Sequence, residues 1–280
     1  MRAQRQERWT RSGVRLRLAA SGAGPWNWLF VPGGPGLGSQ SLRGLVEVVR
    51  VPGAVWLVDL PGDGSNRGLP DGGDPYACWP DVLVEAAQAL DEVVMVGHST
   101  GGMFMLSVPG LEAHLAGMAL VSSAPHAGWR TAFARYAQDH PLPAVETAAA
   151  RYARHPDDQS LRALTLAAAP WNFSDPAVVR GRALLAGLDY NHDAVAWADA
   201  HFDGTYQARW TPQAVPALIV SGAQDHVVAQ RLWQDEPAFN RPNVLHRRIE
   251  GAAHFPWIEN PEAVRAAFTD LTDRLNNPTT

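Results

Sequence analysis

The chain has one cysteine, Cys78, in 280 residues. That excludes an intrachain disulfide, and with no site motif around it Cys78 reads as a small, half-buried apolar side chain. No uninterrupted apolar run reaches the ~18 residues that a membrane-spanning helix needs. Basic charge is not in excess either: 23 Lys and Arg stand against 28 Asp and Glu, for a net charge of −5. A nucleic-acid or membrane-surface binder, which would carry a basic patch, is therefore not expected. The N-terminus carries Arg2, Arg5, Arg8 and Arg11 but not the apolar core of a secretion signal, so a cytoplasmic location is the expectation. Neither an internal repeat nor a low-complexity segment is visible.

What is present is the make-up of a globular protein, with 46% hydrophobic residues and a high count of 11 tryptophans. The length suits one large α/β domain, or a core with an inserted subdomain. Short apolar or alternating runs at 14–18, 27–31, 54–58, 93–96, 118–123, 217–221 and 243–249 read as strands. Residues 80–90 and 261–275 carry the periodicity of helices, the second N-capped near Asn260, and the last residues, 276–280, are expected to be disordered. Strand–helix alternation over 14–123 implies a mostly parallel central sheet with helices on both faces. Between 126 and 209 no buried strand is evident. Segments 131–138, 145–154, 159–166, 176–188 and 194–201 read instead as helices broken by proline or polar turns, a helical insertion between sheet strands. The expected division is a core of 1–125 and 210–280 with an inserted unit of 126–209. The aromatic residues of that unit either form its own core or line a pocket above the sheet; Trp171, Phe173 and Trp197 are the pocket candidates.

The stretch that organises the chain is Val93-Val94-Met95-Val96-Gly97-His98-Ser99-Thr100-Gly101-Gly102. A doubly covered strand runs straight into G-x-S-x-G and then into an apolar helix. Such a sharp turn holds its middle residue on a strained tip, so Ser99 should present its hydroxyl there, with the Thr100 N–H at the helix start facing any oxyanion. Pro32-Gly33-Gly34-Pro35-Gly36, at the end of another buried strand, allows close backbone approach and offers the Gly34 N–H as a second donor. Asp59, followed by Pro61 and Gly62, reads as a structural turn residue.

A serine hydroxyl needs a base, and the base an orienting acid. In this type of sheet they follow in the order Ser, acid, His, each in a loop after a strand. The candidates are Ser99, Asp225 and His254. Gly251, Ala252 and Ala253 let the His254 loop project over the site. His226 competes as base but sits beside the acid, Glu250 and Asp235 are fallback acids, and His98 is expected to pack near the elbow.

Together with Asp59-Leu60-Pro61-Gly62-Asp63-Gly64-Ser65, Gly222-Ala223-Gln224-Asp225 and Gly251-Ala252-Ala253-His254, these motifs make the chain resemble an α/β-hydrolase-fold protein over about residues 14–275. The resemblance implies Ser99 as nucleophile, Asp225 as acid, His254 as base, Gly34 and Thr100 N–H groups as oxyanion hole, and a helical cap over 126–209. The Gly-Gly-Pro-Gly run is also similar to that of prolyl aminopeptidases (proline iminopeptidases). The chain departs from that pattern in having Pro32 where they usually have His and Thr100 where they usually have Trp. Where those enzymes commonly bind a substrate ammonium with glutamates, the cap offers one glutamate, Glu146, with the aspartates Asp139, Asp157, Asp158, Asp175, Asp189, Asp193, Asp199 and Asp203, most of them expected to be solvated helix caps. The expected function is a serine hydrolase acting through an acyl-enzyme on a small ester, thioester or amide. Alternatives are a prolyl-aminopeptidase-like exopeptidase, a C–C bond hydrolase or lyase on the same triad, and a non-catalytic ligand receptor. The chemistry needs neither metal nor organic cofactor, and the expected partner is a small-molecule substrate. No pattern bears on oligomeric state.

Overall fold

The computed structural model describes residues 6–67 and 75–277; Arg2 and Arg5 of the basic N-terminus, and 278–280 of the expected disordered tail, lie outside them. The elements run β1 (Glu7–Trp9), β2 (Arg15–Ser21), β3 (Asn27–Val31), α1 (Arg43–Val49), β4 (Ala54–Asp59), α2 (Trp79–Gln88), β5 (Val93–His98), α3 (Thr100–Leu106) and β6 (Gly117–Val121). Then come six helices, α4 (Gly128–Asp139), α5 (Pro143–Arg154), α6 (Asp158–Ala167), α7 (Ala169–Asn172), α8 (Val178–Ala186) and α9 (His192–His201). The chain closes with β7 (Ala217–Gly222), α10 (Arg231–Gln234), β8 (Val244–Ile249), α11 (Pro256–Glu259) and α12 (Pro261–Asn276). Short 3-10 turns link several of these.

Eight strands form one sheet in the order β1-β2-β4-β3-β5-β6-β7-β8. Pairing is antiparallel between β1 and β2 and between β2 and β4, and parallel from β4 onward. Alternation along each strand sends successive side chains to opposite faces. Trp28, Phe30, Val94 and Val96 enter the core under α1 and α12, while Leu29, Val31, Val93 and Met95 enter the core under α2 and α3. β5 and β6 are buried along their whole length, as the centre of a sheet covered on both faces must be.

α12 shows how sequence becomes packing. Asn260 accepts from the Ala263 N–H at 3.2 Å and Pro261 opens the first turn. Val264, Phe268, Leu271 and Leu275 then fall on one stripe and are buried, each contributing about 1.5–3 kcal/mol. The helix runs through Asn276, one residue into the segment expected to be disordered.

Of the six helices between β6 and β7, all but α7 fall on the segments read from the sequence to within a few residues; α7 has no counterpart among them. The insertion packs into both cores, with Ala194 and Tyr206 on one side and Phe173, Leu185 and Tyr190 on the other. Among the described residues, no helix is long and apolar enough to cross a membrane.

Candidate active site

β5 delivers Ser99 on a strained turn, with φ 50° and ψ −123°. The strain persists because the surroundings hold it. The Ser99 N–H donates to the Val121 carbonyl at 2.9 Å, and the Ser99 carbonyl accepts from Ser123 Oγ at 2.9 Å and from the Gly102 N–H at 3.0 Å. The flanking glycines are steric requirements. A Cβ at Gly97 would overlap the backbone of Gly102, and one at Gly101 would overlap the carbonyl oxygens of Val31 and Pro32. The spacing of G-x-S-x-G thus records how closely strand, helix and the loop after β3 approach one another.

Asp225 and His254 arrive from the loops after β7 and β8. Asp225 Oδ1 accepts from the N–H groups of Val227 (3.0 Å) and Val228 (2.9 Å), which fixes the carboxylate and turns Oδ2 toward His254 Nδ1, 2.9 Å away. A carboxylate only accepts, so the Nδ1 hydrogen points at Asp225 and Nε2 is left to accept. Nε2 lies 3.2 Å from Ser99 Oγ. All three residues are at least nine-tenths buried. The two loops are joined to each other and to the insertion: Gln224 N–H donates to Ala252 C=O at 2.8 Å, and His254 N–H to Asn172 C=O at 3.1 Å. Glu259 accepts from the Ala253 N–H (2.7 Å) and the Ser174 N–H (2.8 Å).

His98 lies behind the base. Its ring centroid is 5.1 Å from that of His254, 5.2 Å from Phe255 and 4.9 Å from Trp257, and Nε2–H donates to the His254 carbonyl at 3.3 Å. Burial, reinforced by the neighbouring His254, pushes its pKa down to about 3. Among the described residues His226 makes no hydrogen bond to Ser99; it stacks flat on Tyr136 at 4.0 Å, and burial lowers its pKa against the opposing pull of Asp225.

Asp59 proves structural, as the turn reading has it. It is buried, pairs with Arg17 at 2.6 Å, and accepts from Ser39 Oγ at 2.5 Å and from Ser65 Oγ.

Ser99 opens into a cavity of about 230 Å³. Gly34 and Thr100 both line it, and among the described residues the N–H of neither makes another hydrogen bond. The remaining walls are mostly apolar: Met103 from the core, Leu161, Leu185 and Val195 from the insertion, and Val227 and Val228 from the acid loop. Trp129 is the insertion's tryptophan in this wall.

The three aromatic pocket candidates lie elsewhere. Trp171 donates from Nε1 to the His140 carbonyl at 3.0 Å and meets Phe133 edge-on. Phe173 is buried against Phe255 at 4.9 Å, supporting the His254 loop from beneath. Trp197 packs toward Tyr76, 6.5 Å away. The reason is rotation about the helix axis: His192, Val195 and Asp199 share the inward face of α9, and a residue two positions from Val195 points to the opposite face. Glu146 is exposed on α5 and does not line this cavity. Among the described residues, no three His, Cys, Asp or Glu side chains group closely enough to hold a metal ion.

Known proteins place this architecture. A pimeloyl-[acyl-carrier protein] methyl ester esterase of Xanthomonas axonopodis pv. citri (strain 306) is 27% identical over 244 residues, covering 80% of this chain and 86% of that protein. Among solved structures, an alpha/beta fold family hydrolase from Bacillus anthracis str. Sterne superposes with a TM-score of 0.73 at 17% identity, over 96% of this chain and 99% of that one. A proline iminopeptidase of Mycobacterium smegmatis superposes with a TM-score of 0.65 at 19% identity, over 97% and 99%. At such identities the solved structures speak to fold alone. The model of the alpha/beta hydrolase family matches residues 18–267, and the chain belongs to that family.

Proposed function

We propose that the protein is a serine hydrolase that cleaves a small ester, thioester or amide through an acyl-enzyme on Ser99. The observation that carries this reading is the relay from Ser99 Oγ through the His254 ring to Asp225, with links of 3.2 Å and 2.9 Å, at the base of an apolar cavity. His254 Nε2 takes the hydroxyl proton as Oγ attacks the carbonyl carbon. Asp225 stays ionised, holds the ring in the required tautomer and stabilises the imidazolium. The Gly34 and Thr100 N–H groups receive the oxyanion, a contribution worth about 10²–10³ in rate per donor. The imidazolium then gives its proton to the leaving group, and water, deprotonated by the same nitrogen, releases the acid.

The similarity to a methyl ester esterase favours an ester among these substrates. The aminopeptidase reading is less supported: Glu146, the cap's one glutamate, faces solvent away from the cavity, and of the two aspartates lining the adjoining space, Asp199 and Asp203, the first is paired with Arg130. Incubation with a fluorophosphonate, followed by peptide mapping, tests the assignment. A single adduct is expected on Ser99, lost in Ser99→Ala together with hydrolysis of p-nitrophenyl butyrate. An adduct on another residue, or Ser99→Ala retaining full turnover, would refute it.

A further inference from the structure

The peptide unit between Ala252 and Ala253, just before the base, is held at both ends. Its carbonyl accepts from the Gln224 N–H of the acid loop at 2.8 Å, and its N–H donates to Glu259 Oε2 at 2.7 Å. The next N–H, that of His254, donates to the Asn172 carbonyl of the insertion at 3.1 Å. The second oxygen of Glu259, Oε1, accepts from the Ser174 N–H at 2.8 Å. Between these links Phe173 stacks on Phe255, with ring centroids 4.9 Å apart. The insertion segment 172–174 thus meets the segment 253–255 along its whole length, and Glu259 ties the seam.

Local structure explains how Glu259 reaches back. Pro256 opens α11, a single turn in which the Asn260 N–H donates to the Pro256 carbonyl at 2.8 Å. Asn260 Nδ2 then donates to the Glu250 carbonyl at 3.0 Å, which fastens the end of that turn to the start of the His254 loop. The Glu259 side chain is returned to the residue before the base.

No cation accounts for this carboxylate. It is half-buried, and among the described residues no ion pair includes it. What it serves is the pair of backbone N–H groups. Ala253 is buried, and among the described residues its N–H has no other acceptor. Without Glu259 that buried donor would be left unsatisfied, which costs free energy. The chemistry selects a carboxylate, because both of its oxygens accept. Glutamine offers one acceptor and one donor, so either way round it sets an amide N–H against one of the two backbone N–H groups.

We infer that Glu259 is a positioning residue for His254: it fixes the peptide that seats the imidazole between Ser99 and Asp225, and it couples that seat to the insertion. The inference rests on the acyl-enzyme reading above. His254 must hold 3.2 Å to Ser99 Oγ and 2.9 Å to Asp225 Oδ2 at once, and a misplacement of about 1 Å costs on the order of 10²-fold in rate.

The test compares wild type, Glu259→Gln and Glu259→Leu. Hydrolysis of p-nitrophenyl butyrate gives kcat and KM; a fluorophosphonate gives the number of reactive Ser99 sites and the labelling rate per site. Glu259→Gln is expected to lower kcat about tenfold, the worth of one lost hydrogen bond to a charged group, with KM within about twofold of wild type. Labelling per site should slow by a similar factor, with the number of sites unchanged. Glu259→Leu should lose about 10²-fold in kcat, and the glutamine variant serves if that one fails to fold. Fewer labelled sites at an unchanged rate per site would mean that Glu259 only supports folding, and overturns the inference. So does a kcat equal to that of wild type, or a rise in KM alone. A wild type that neither hydrolyses the ester nor takes the adduct on Ser99 sinks the acyl-enzyme reading, and the inference with it.

Discussion

Replacing His98 with glutamine should remove part of the protein's sensitivity to acid. In the folded protein three aromatic or imidazole rings surround the His98 side chain, and its one hydrogen-bond acceptor is the neutral His254 carbonyl. No carboxylate compensates for a charge there, so burial holds the pKa near 3, against 6.5 when unfolded. Between these values the unfolded chain binds the proton and the folded chain does not, so stability falls as pH drops from 6.5 toward 3. At pH 5 the gap from 6.5 is worth about 2 kcal/mol, at 1.36 kcal/mol per pH unit. Glutamine can donate to the same carbonyl but does not titrate. The assay is urea unfolding of wild type and His98→Gln at pH 8 and pH 5. The loss of unfolding free energy between the two pH values should be about 2 kcal/mol smaller in the variant, because the other histidines titrate in both and cancel. Equal losses would refute the claim that this ring is held neutral by burial.

Asp225→Asn should leave the fold intact but lower kcat roughly 10⁴-fold, because an amide nitrogen facing Nδ1 favours the wrong imidazole tautomer; steady-state hydrolysis with circular dichroism as control decides it, and a loss under tenfold would exclude Asp225 as the orienting acid. Asn191→Ala should destabilise the protein by about 2–3 kcal/mol. The Asn191 amide donates to Gly62 C=O at 3.0 Å and to buried Asp63 at 3.1 Å, and a thermal melt unchanged from wild type would show that this clasp contributes nothing.

The sheet and the three catalytic candidates were legible because each leaves a local trace. Central parallel strands are buried on both faces and appear as unbroken apolar runs such as Val93–Val96, and the elbow glycines are fixed by backbone overlap rather than by anything distant. The helices of the insertion were legible as segments between proline and polar turns, to which the fold adds caps such as Asp157, whose side chain accepts from the Ser160 N–H. β1 left no trace. Glu7, Arg8 and Trp9 are all exposed, and the strand exists only because β2 offers an edge to pair with. The pocket walls were not legible for a different reason. Spacing reveals that a helix has an apolar face, not which way that face turns once the helix docks. Trp197 and Val195 are therefore equivalent in sequence and opposite in the molecule.

The insertion is anchored unevenly, and this bears on how substrate reaches Ser99. Two of the ties between its later half and the core bear on the catalytic loops. Residues 172–174 hold the His254 loop through the Asn172 carbonyl and the Glu259 bridge. At 190–191, Arg67 donates to the Tyr190 carbonyl at 2.9 Å, and Asn191 N–H donates to Gly36 C=O at 2.9 Å, beside the oxyanion loop. Displacing that half would disturb the base and the oxyanion loop together. The earlier half is less deeply buried: α4 has no fully buried residue, though its Tyr136 stacks on His226 beside the acid, and α5 has only Val145. Local opening draws on segments with the least buried apolar contact. By that rule α4 and α5, with Trp129 of α4 in the wall of the Ser99 cavity, are the part of the insertion that opens at least cost, and the half that holds the His254 and oxyanion loops is the part that opens at greatest cost.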